Sequence, residues 1–221
     1  MAVEKIKGVK MHQKYVTSDG RTVPGVTTVL GVLAKPALIH WAWDLGTKGI
    51  DYRKYRDKMA NIGTLAHYLI ECDLKEVDPE LDSYSPEEIN LAENCLISYW
   101  EWKKKNNPKV IATELQLVSD CYGYGGTIDL YCEIDGLKYL VDFKTGKAIY
   151  PEMICQLSAY YYVMDENGYP VDKIQILRIG RDETEGFEVQ EKMIGELRWY
   201  WSKFLSALGV YNADKEIRRG S

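Results

Sequence analysis

Hydrophobic and polar residues alternate between residues 124 and 144, and this alternation predicts a β-hairpin. The dipeptide Asp135-Gly136 divides the stretch and favours a two-residue turn, because glycine accepts a positive φ and aspartate often does. With that turn Ile134 pairs with Leu137, and the other expected pairs are Glu133–Lys138, Cys132–Tyr139, Leu130–Val141, Asp129–Asp142 and Ile128–Phe143. A register shifted by one residue would place charged side chains on the buried face, so the pattern specifies a single pairing.

The rest of the chain predicts helices and further strands around this hairpin. The segment Ser85-Pro86-Glu87-Glu88 is a strong helix N-terminus, with serine as the cap and proline in the first turn. The predicted elements are a small hairpin over 14–28, helices over 36–48, 52–76 and 86–105, a strand over 109–119, a helix over 151–166, a strand over 172–180 and a helix over 190–210. This order, without a linker or an internal repeat, predicts an α/β fold in which a mixed central β-sheet is flanked by helices.

Composition narrows the class of protein. The 221 residues are enough for one domain with a substantial core. No apolar run approaches a membrane span, and residues 1–10 lack the apolar core of a signal peptide, so a cytoplasmic protein without a membrane partner is expected. The net charge of −5 argues against a binder that holds nucleic acid by overall basic charge. A carboxylate-rich site loaded with divalent cations is locally positive, however, so a nucleic-acid enzyme is not excluded.

The sequence lacks several signatures that would point to other chemistry. The five cysteines are odd in number and form no CxxC pair, so reduced structural thiols are expected and zinc ligation is not. There is no glycine-rich phosphate loop ending in GK[ST] and no GxSxG elbow. ATPase and serine-hydrolase functions are therefore excluded as interpretations.

Asp129, Asp142 and Lys144 are the first candidates for chemistry. The predicted register opposes the two aspartates, and like charges at roughly 5 Å between Cβ atoms repel. Lys144 lies two residues after Asp142 and therefore points to the same side of the sheet. Mg²⁺ and Mn²⁺ take oxygen ligands, and such a cation can orient water and stabilise charge on a phosphate. A solvated hairpin face with an ordinary Asp–Lys pair is the alternative, and the opposed Asp129 favours the metal site over it.

Four further residues could complete such a site. His67 lies on a predicted helix with Glu71 four residues later on the same face, so it is either a helix-face histidine paired with Glu71 or a metal ligand. Glu114 is an acidic residue in a predicted strand, where glutamate is disfavoured. The pattern fits two interpretations of Glu114 equally well, namely a metal ligand and a solvent-facing residue of an edge strand. Gln156 and Tyr160 share a helix face and could contact a phosphate or the lysine, unless this face only packs in the core.

Aromatic residues are also candidates for nucleic-acid contact. The tryptophans and their aromatic neighbours stand at 41, 43, 100, 102 and 199–201. Such side chains can stack on unpaired bases. They are more often part of an apolar core, and the sequence leaves both interpretations open.

Together these residues resemble the RecB-like branch of the PD-(D/E)XK nuclease superfamily, which includes phage-type exonucleases. The matching motifs are Gly63-x-x-x-His67, Glu114, Gly126-Thr-Ile-Asp129, Val141-Asp-Phe-Lys-Thr-Gly146 and Gln156-x-x-x-Tyr160. Each motif is short and common, but the five occur in the order found in the family. The resemblance implies a restriction-endonuclease-like core over 52–180, within a single domain over 1–221 that has an N-terminal extension over 1–50 and a C-terminal helix over 190–211.

The resemblance also implies the site residues and the cofactor. Its implied ligands for Mg²⁺ or Mn²⁺ are His67, Asp129, Asp142 and the carbonyl group of Phe143. Its implied catalytic residues are Lys144, Asp142, Asp129, Glu114, Gln156 and Tyr160. Some relatives carry a cysteine cluster for an iron–sulfur centre after the Gln/Tyr motif. The last cysteine here is Cys155, so no iron–sulfur cluster is expected.

The function that the resemblance implies is a metal-dependent deoxyribonuclease, specifically an exonuclease of phage or prophage recombination or of DNA repair. DNA is the implied partner, and a single-strand annealing protein, a separate helicase and a homo-oligomer remain open as further partners. The alternatives are a catalytically inactive DNA-binding accessory protein, a structure-specific endonuclease, and a carboxylate-based hydrolase of a non-nucleic substrate. Opposed carboxylates argue against the pure binder, which has no need of them.

Overall fold

The computed structural model describes residues 14–220 of the chain. The residues examined for a signal peptide, together with the rest of 1–13 and Ser221, lie outside the described part. The strands are β1 (Tyr15–Val16), β2 (Thr22–Val23), β3 (Lys109–Ser119), β4 (Tyr124–Ile134), β5 (Leu137–Lys144), β6 (Lys173–Ile179) and β7 (Phe187–Met193). The helices are α1 (Val26–Leu30), α2 (Pro36–Thr47), α3 (Tyr52–Lys75), α4 (Pro86–Asn106), α5 (Pro151–Glu166) and α6 (Arg198–Gly220), with a 3-10 helix over Ile194–Leu197.

A five-stranded mixed sheet forms the centre, with strands in the spatial order β3-β4-β5-β6-β7. Neighbouring strands are antiparallel except β5 and β6, which run parallel and are connected through α5. A parallel pair needs such a crossover, whereas a two-residue turn is enough between β4 and β5. The predicted mixed sheet flanked by helices is confirmed.

Helices cover both faces of the sheet, and each face has its own apolar core. The core beneath α1, α5 and α6 includes Val29, Tyr124, Ile128, Leu140 and Phe204. The core beneath α3 and α4 includes Leu65, Tyr99, Leu130, Val141 and Phe143. Because both faces are covered, the positions of β5 from Tyr139 to Phe143 are all buried, and Asp142 is the one charged residue among them. Among residues 14–220, no helix combines the length and apolar character needed to cross a membrane.

The register of the β4–β5 hairpin agrees with the predicted pairing along most of its length. Five pairs are as expected, from Ile134–Leu137 at the turn to Leu130–Val141. The ladder ends there, so the expected Asp129–Asp142 and Ile128–Phe143 pairs are not part of it. Ile128 packs in the core beneath α5 and Phe143 in the core beneath α3, which corrects their predicted contact on a shared face. The sheet opens at the point where the two aspartates lie.

An irregularity in β3 coincides with this opening. Thr113 pairs with Leu130 and Leu115 with Ile128, so Glu114 lies opposite Asp129 without a recorded pair between them. Glu114 has a φ of 53°, in the left-handed region that residues other than glycine seldom adopt. Such a conformation costs about 1–3 kcal/mol in the middle of a strand, where no helix end or turn explains it. The strand therefore departs from regular geometry beside the predicted site.

The C-terminal end of the chain differs from the prediction of one helix over 190–210. Residues 187–193 form β7, an edge strand antiparallel to β6, and α6 begins at Arg198 and continues to Gly220. Phe187, Val189 and Met193 alternate with polar residues, which is a strand pattern, but this short run directly precedes the helical spacing of α6 and most of its side chains are exposed. The buried stripe of α6 does follow helical spacing, at Trp201, Phe204 and Leu208.

A second difference concerns the predicted small hairpin over 14–28. The strands β1 and β2 are short, and the β-branched segment that follows forms α1. Val26, Val29 and Leu30 are buried at spacings of three and four residues, which fits a helix packed on the core. Tertiary burial thus outweighs the strand preference of valine and threonine.

The cysteine side chains are mostly buried. All five lie within residues 14–220 and are free, four of them buried and Cys121 exposed. Burial raises the pKa of the Cys95 and Cys132 thiols to about 12, which makes them unreactive.

The start of α4 provides a test of the local folding argument. Ser85 Oγ accepts a hydrogen bond from the Glu88 amide at 3.3 Å, and the Glu88 carboxylate accepts one from the Ser85 amide at 3.0 Å. We expect Ser85→Ala to lower the free energy of unfolding by about 1 kcal/mol, because helix amides lose their side-chain acceptor. Urea unfolding measures this loss. Ser83→Ala, an exposed position just before the cap, should change it by less than about 0.5 kcal/mol, and equal losses would contradict the capping argument.

Candidate active site

Side chains from four elements come together where the β4–β5 ladder ends. Each element faces this opening with residues that the sequence singled out, and they are His67 on α3, Asp129 on β4, Asp142 and Lys144 on β5, and Gln156 and Tyr160 on α5. Six of the predicted site residues are thus collected in one place. The contacts among them define the chemistry that the site can support.

Asp142 and Lys144 form the closest charged contact of the site. Lys144 Nζ lies 2.6 Å from Asp142 Oδ2, and the Asp142 side chain is 1% exposed. That oxygen accepts no hydrogen bond of good geometry from the described residues, so the ammonium is its nearest polar neighbour. Burial raises the pKa of Asp142 to about 6, the nearby charge of Asp129 raises it as well, and Lys144 opposes both. A buried carboxylate oxygen that is approached by one lysine and accepts no well-formed hydrogen bond is incompletely satisfied.

Asp129 is held by a histidine and a backbone amide. His67 Nδ1 lies 3.4 Å from Asp129 Oδ2, and the Phe143 amide donates to the same oxygen at 2.9 Å. Burial alone would raise the pKa of Asp129, but His67, Lys144 and the amide together hold it below the ordinary value. Burial would likewise lower the pKa of His67, and the Asp129 carboxylate outweighs this and raises it.

The structure also distinguishes between the two interpretations of His67. Glu71, its neighbour one helical turn away, is buried and forms an ion pair with Lys75 at 2.6 Å. The imidazole of His67 instead contacts Asp129 and packs edge-on against the Phe143 ring, with centroids 6.1 Å apart. His67 therefore belongs to the group of side chains at the opening of the sheet.

Gln156 connects α5 to the carboxylates. Its side-chain amide donates to the Tyr160 hydroxyl at 2.9 Å and to Asp142 Oδ1 at 3.4 Å. Burial, together with the charges of Asp142 and Asp129, raises the pKa of Tyr160 well above the ordinary value, so the phenol stays protonated. The glutamine thus fixes Asp142 from the side opposite Lys144 Nζ, using its other carboxylate oxygen.

Two glycines of the site are required by close approach. A Cβ atom on Gly126 would lie 2.8 Å from Cδ1 of the Tyr160 ring and closer still to Cε1. A Cβ atom on Gly63 would lie 2.6 Å from Thr145 Oγ1, next to Lys144. These glycines let α5 and α3 approach the strands that carry the aspartates.

Glu114 and Phe143 complete the set of predicted site residues. Glu114 is half-buried on β3 opposite Asp129, so its backbone lies beside the site. The ring of Phe143 is buried between His67 and Tyr99, and its amide is directed at Asp129. Their predicted roles as an additional carboxylate and as a carbonyl ligand remain predictions.

The donor types suit a hard divalent cation. Two carboxylates, an imidazole and backbone carbonyls are ligands that such ions accept, and within residues 14–220 the buried Asp142 Oδ2 is approached by the Lys144 ammonium without accepting a well-formed hydrogen bond. Within residues 14–220, no three His, Cys, Asp or Glu side chains stand close enough to form a ready metal-binding group. Lys144 instead occupies the position next to Asp142. The residues therefore fit a metal by chemistry, and Asp142 is neutralised by lysine in the structure.

Tyr15 is a neighbour of the site that the sequence did not reveal. Its hydroxyl lies 2.9 Å from Thr127 Oγ1, two residues before Asp129 on β4. The Tyr15 ring lies against Gly125, where a Cβ atom would be 2.5 Å from Cδ1 of that ring. Tyr15 and Thr127 are 112 residues apart in the chain, so no local pattern could have indicated the contact.

Arg178 is a second unexpected neighbour. It lies beside Lys144 in the parallel β5–β6 pair and is 7% exposed. Its guanidinium donates to the carbonyl of Gly146 at 3.3 Å and to the carbonyls of Glu185 and Gly186, and it forms an ion pair with Glu188 at 3.0 Å. The segment that follows Lys144 is thereby tied to the β6–β7 turn.

Comparison with known proteins gives remote structural likeness only. No family model matches the chain, and no curated protein matches it in sequence. The chain is similar to an alkaline exonuclease from Laribacter hongkongensis, with 13% identity, a TM-score of 0.37 and coverage of 74% of this chain and 92% of that one. It is similar to a proposed exonuclease from Eubacterium rectale, with 12% identity, a TM-score of 0.38 and coverage of 80% and 68%. The protein SSO0001 aligns at 14% identity and a TM-score of 0.33, over 57% of this chain and 64% of its own length.

The close packing of Gly126 under Tyr160 can be tested by stability. We expect Gly126→Ala to lower the free energy of unfolding by about 1–3 kcal/mol, because the added methyl group overlaps a buried ring. Gly209→Ala is the matched control, since a Cβ atom there meets nothing within 4 Å, and it should leave the protein as stable or slightly more stable. Urea unfolding of both variants measures the difference. A Gly126→Ala protein as stable as the wild type would refute the close approach.

The raised pKa of Asp142 predicts a measurable titration. Carboxyl-carbon NMR in metal-free buffer should show Asp142 titrating near pH 6, well above its ordinary 3.8, and Lys144→Ala should move the titration higher because the opposing charge is lost. The folded protein binds this proton more tightly than the unfolded chain does. The contribution of Asp142 to stability is therefore present at low pH and lost as pH rises from about 4 to about 6. A titration near 4 would contradict the burial argument.

Proposed function

We propose that the chain is a metal-dependent deoxyribonuclease, and specifically an exonuclease of phage or prophage recombination or of DNA repair. The observation that supports this proposal best is the contact of Lys144 Nζ with the buried Asp142 at 2.6 Å, beside the Asp129–His67 pair, at the open end of one hairpin. Two carboxylates, a lysine and an imidazole in one opening suit phosphodiester hydrolysis. The sequence resemblance to RecB-like nucleases names the same residues.

In this proposal Asp129, Asp142 and His67 hold Mg²⁺ or Mn²⁺ together with the carbonyl of Phe143. When bound, such a cation supplies positive charge to the phosphate and to the attacking water. Glu114, on the strand facing Asp129, is proposed as a further carboxylate of the site. The net acidity of the chain is compatible with DNA as a substrate because the charge near the phosphate is set by the site and not by the whole surface.

The remaining residues place and stabilise the reacting groups. Lys144, at the side of both carboxylates, donates hydrogen bonds to a phosphate oxygen or to the attacking water, where negative charge develops in the transition state. Gln156 restrains Asp142 through Oδ1 and is itself tied to the protonated Tyr160 hydroxyl. Burial of this network keeps competing water away from the carboxylates and strengthens each charge interaction.

A pair of lysine variants tests the role of the site. Lys144→Ala should lower Mg²⁺-dependent DNA hydrolysis by about 10²–10³-fold, the cost of removing one charge-stabilising donor, while the protein remains folded. Lys138→Ala is the matched control, because Lys138 lies on the same strand at the turn end and pairs with Glu133 at 2.6 Å. It should retain full activity. Full activity in Lys144→Ala or in Asp142→Ala would refute the assignment.

Nuclease assays with two DNA forms distinguish the functions that the sequence left open. End-labelled linear DNA and closed circular DNA are incubated with the protein in Mg²⁺, Mn²⁺ or EDTA. Metal-dependent loss of linear DNA alone supports the exonuclease. Cutting of the circle identifies an endonuclease, and binding without cleavage identifies an accessory protein. Absence of both binding and cleavage would direct the search to a non-nucleic substrate.

A further inference from the structure

The helix α2 exposes an unusual amount of apolar and aromatic surface. Ile39 is 73% exposed and Trp43 is 70% exposed, and these two residues are one helical turn apart on the same face. Leu38 is exposed as well, and Leu45 is the only residue of α2 that is buried. An exposed tryptophan beside exposed aliphatic residues is typical of a binding surface and not of a solvated helix.

The helix that carries this surface is connected to the candidate active site through α3. Trp41 packs edge-on against Tyr55 near the start of α3, with ring centroids 6.0 Å apart. Tyr55 precedes Gly63 by eight residues on the same continuous helix, which corresponds to about 12 Å along its axis. Gly63 in turn lies against Thr145, the residue after Lys144. The surface of α2 is therefore joined to the site through one rigid element.

The segment that carries this surface has a net positive charge within an acidic chain, and three of its cations form ion pairs, namely Lys48 with Asp44, Arg56 with Asp57 and Lys58 with Glu87. Residues 35–58 contain six Lys or Arg and three Asp, a net charge of +3, whereas the whole chain has a net charge of −5. The carboxylate of Asp51 accepts the backbone amides at the start of α3, so it acts as a helix cap. Arg53 and Lys54 follow it and are exposed, and the Arg53 guanidinium lies 5.9 Å from the centroid of the Tyr52 ring. A cation and an aromatic ring therefore lie side by side at the start of α3.

We propose that α2 and the first turn of α3 bind single-stranded DNA, with Trp43 stacking on an unpaired base and Arg53 and Lys54 contacting phosphates. The inference rests on the proposed function, because it specifies that the DNA reaching the proposed nuclease site is single-stranded. Stacking on an aromatic ring tolerates any base, and a basic groove follows the backbone, so this combination suits a strand without sequence preference. An acidic peptide would use the cations without needing the exposed indole, and a second copy of this chain would bring the same positive charge against itself.

The test measures binding of a fluorescein-labelled oligothymidylate by anisotropy, in EDTA so that cleavage cannot occur. Trp43→Ala should weaken binding about tenfold, the loss expected for one stacked base. Trp199→Ala is the matched control, because Trp199 is 74% exposed on α6 and also has an arginine against its ring, Arg198, at 5.3 Å. It should bind as the wild type does. Lys54→Gln should make the salt dependence of binding less steep by about one phosphate contact.

Several outcomes would overturn the inference. The inference fails if the wild type does not bind oligothymidylate, or if Trp43→Ala binds it as tightly as the wild type does. It also fails if Trp199→Ala loses as much affinity as Trp43→Ala. If sedimentation showed that Trp43→Ala dissociates an oligomer while its DNA affinity is unchanged, α2 would be a contact between copies instead. Cleavage of linear DNA with Mg²⁺ is measured separately. If the wild-type protein binds the oligonucleotide but cleaves no DNA, the proposed nuclease activity is refuted. If the wild type cleaves DNA and Trp43→Ala binds the oligonucleotide as well as the wild type does, only the proposed binding surface is refuted.

Discussion

The structure of the site depends on one constraint, which is the repulsion between two buried carboxylates. Asp129 and Asp142 lie close together at one end of a hairpin and are removed from water. Burial raises the pKa of Asp142, and each carboxylate disfavours the ionised form of the other. The protein offsets this with Lys144 against Asp142 and with His67 and a backbone amide against Asp129. Every other feature near the site either supplies one of these partners or holds it in place.

The fold positions the partners by ending regular pairing where the carboxylates lie. The Asp129 carboxylate takes the Phe143 amide as its donor, next to the last recorded pair of the ladder. Gly63 and Gly126 then allow α3 and α5 to approach from the two faces, which brings His67 to one aspartate and Gln156 to the other. The opening in the sheet and the close approach of the helices therefore act together to give each aspartate its partners.

Local patterns were sufficient to predict the hairpin and the Ser85 cap of α4. The aspartates are thirteen residues apart across a two-residue turn, so turn chemistry predicted that they would lie near each other, although their direct pair is not part of the ladder. Contacts between distant segments could not be predicted in this way. Helical spacing suggested Glu71 as the partner of His67, whereas the imidazole contacts Asp129 from another element. The family resemblance was needed to assign His67 to the site. The Tyr15 contact had no local signal because it is long-range, and the short alternation of β7, an exposed edge strand, was too weak to separate it from the helix that follows.

The parallel pairing of β5 with β6 has a consequence for the order in which the site matures during synthesis. All proposed site residues lie between His67 and Tyr160, but Asp142 is shielded by β6, where Ile176 is its neighbour in the pair. Synthesis proceeds from the N-terminus, so a nascent chain contains the complete set of side chains before β6 exists. During that interval Asp142 lacks the cover of β6, which contributes to its burial. The residues that carry the proposed chemistry are thus made first, and the environment that raises the Asp142 pKa is completed by strands that emerge later.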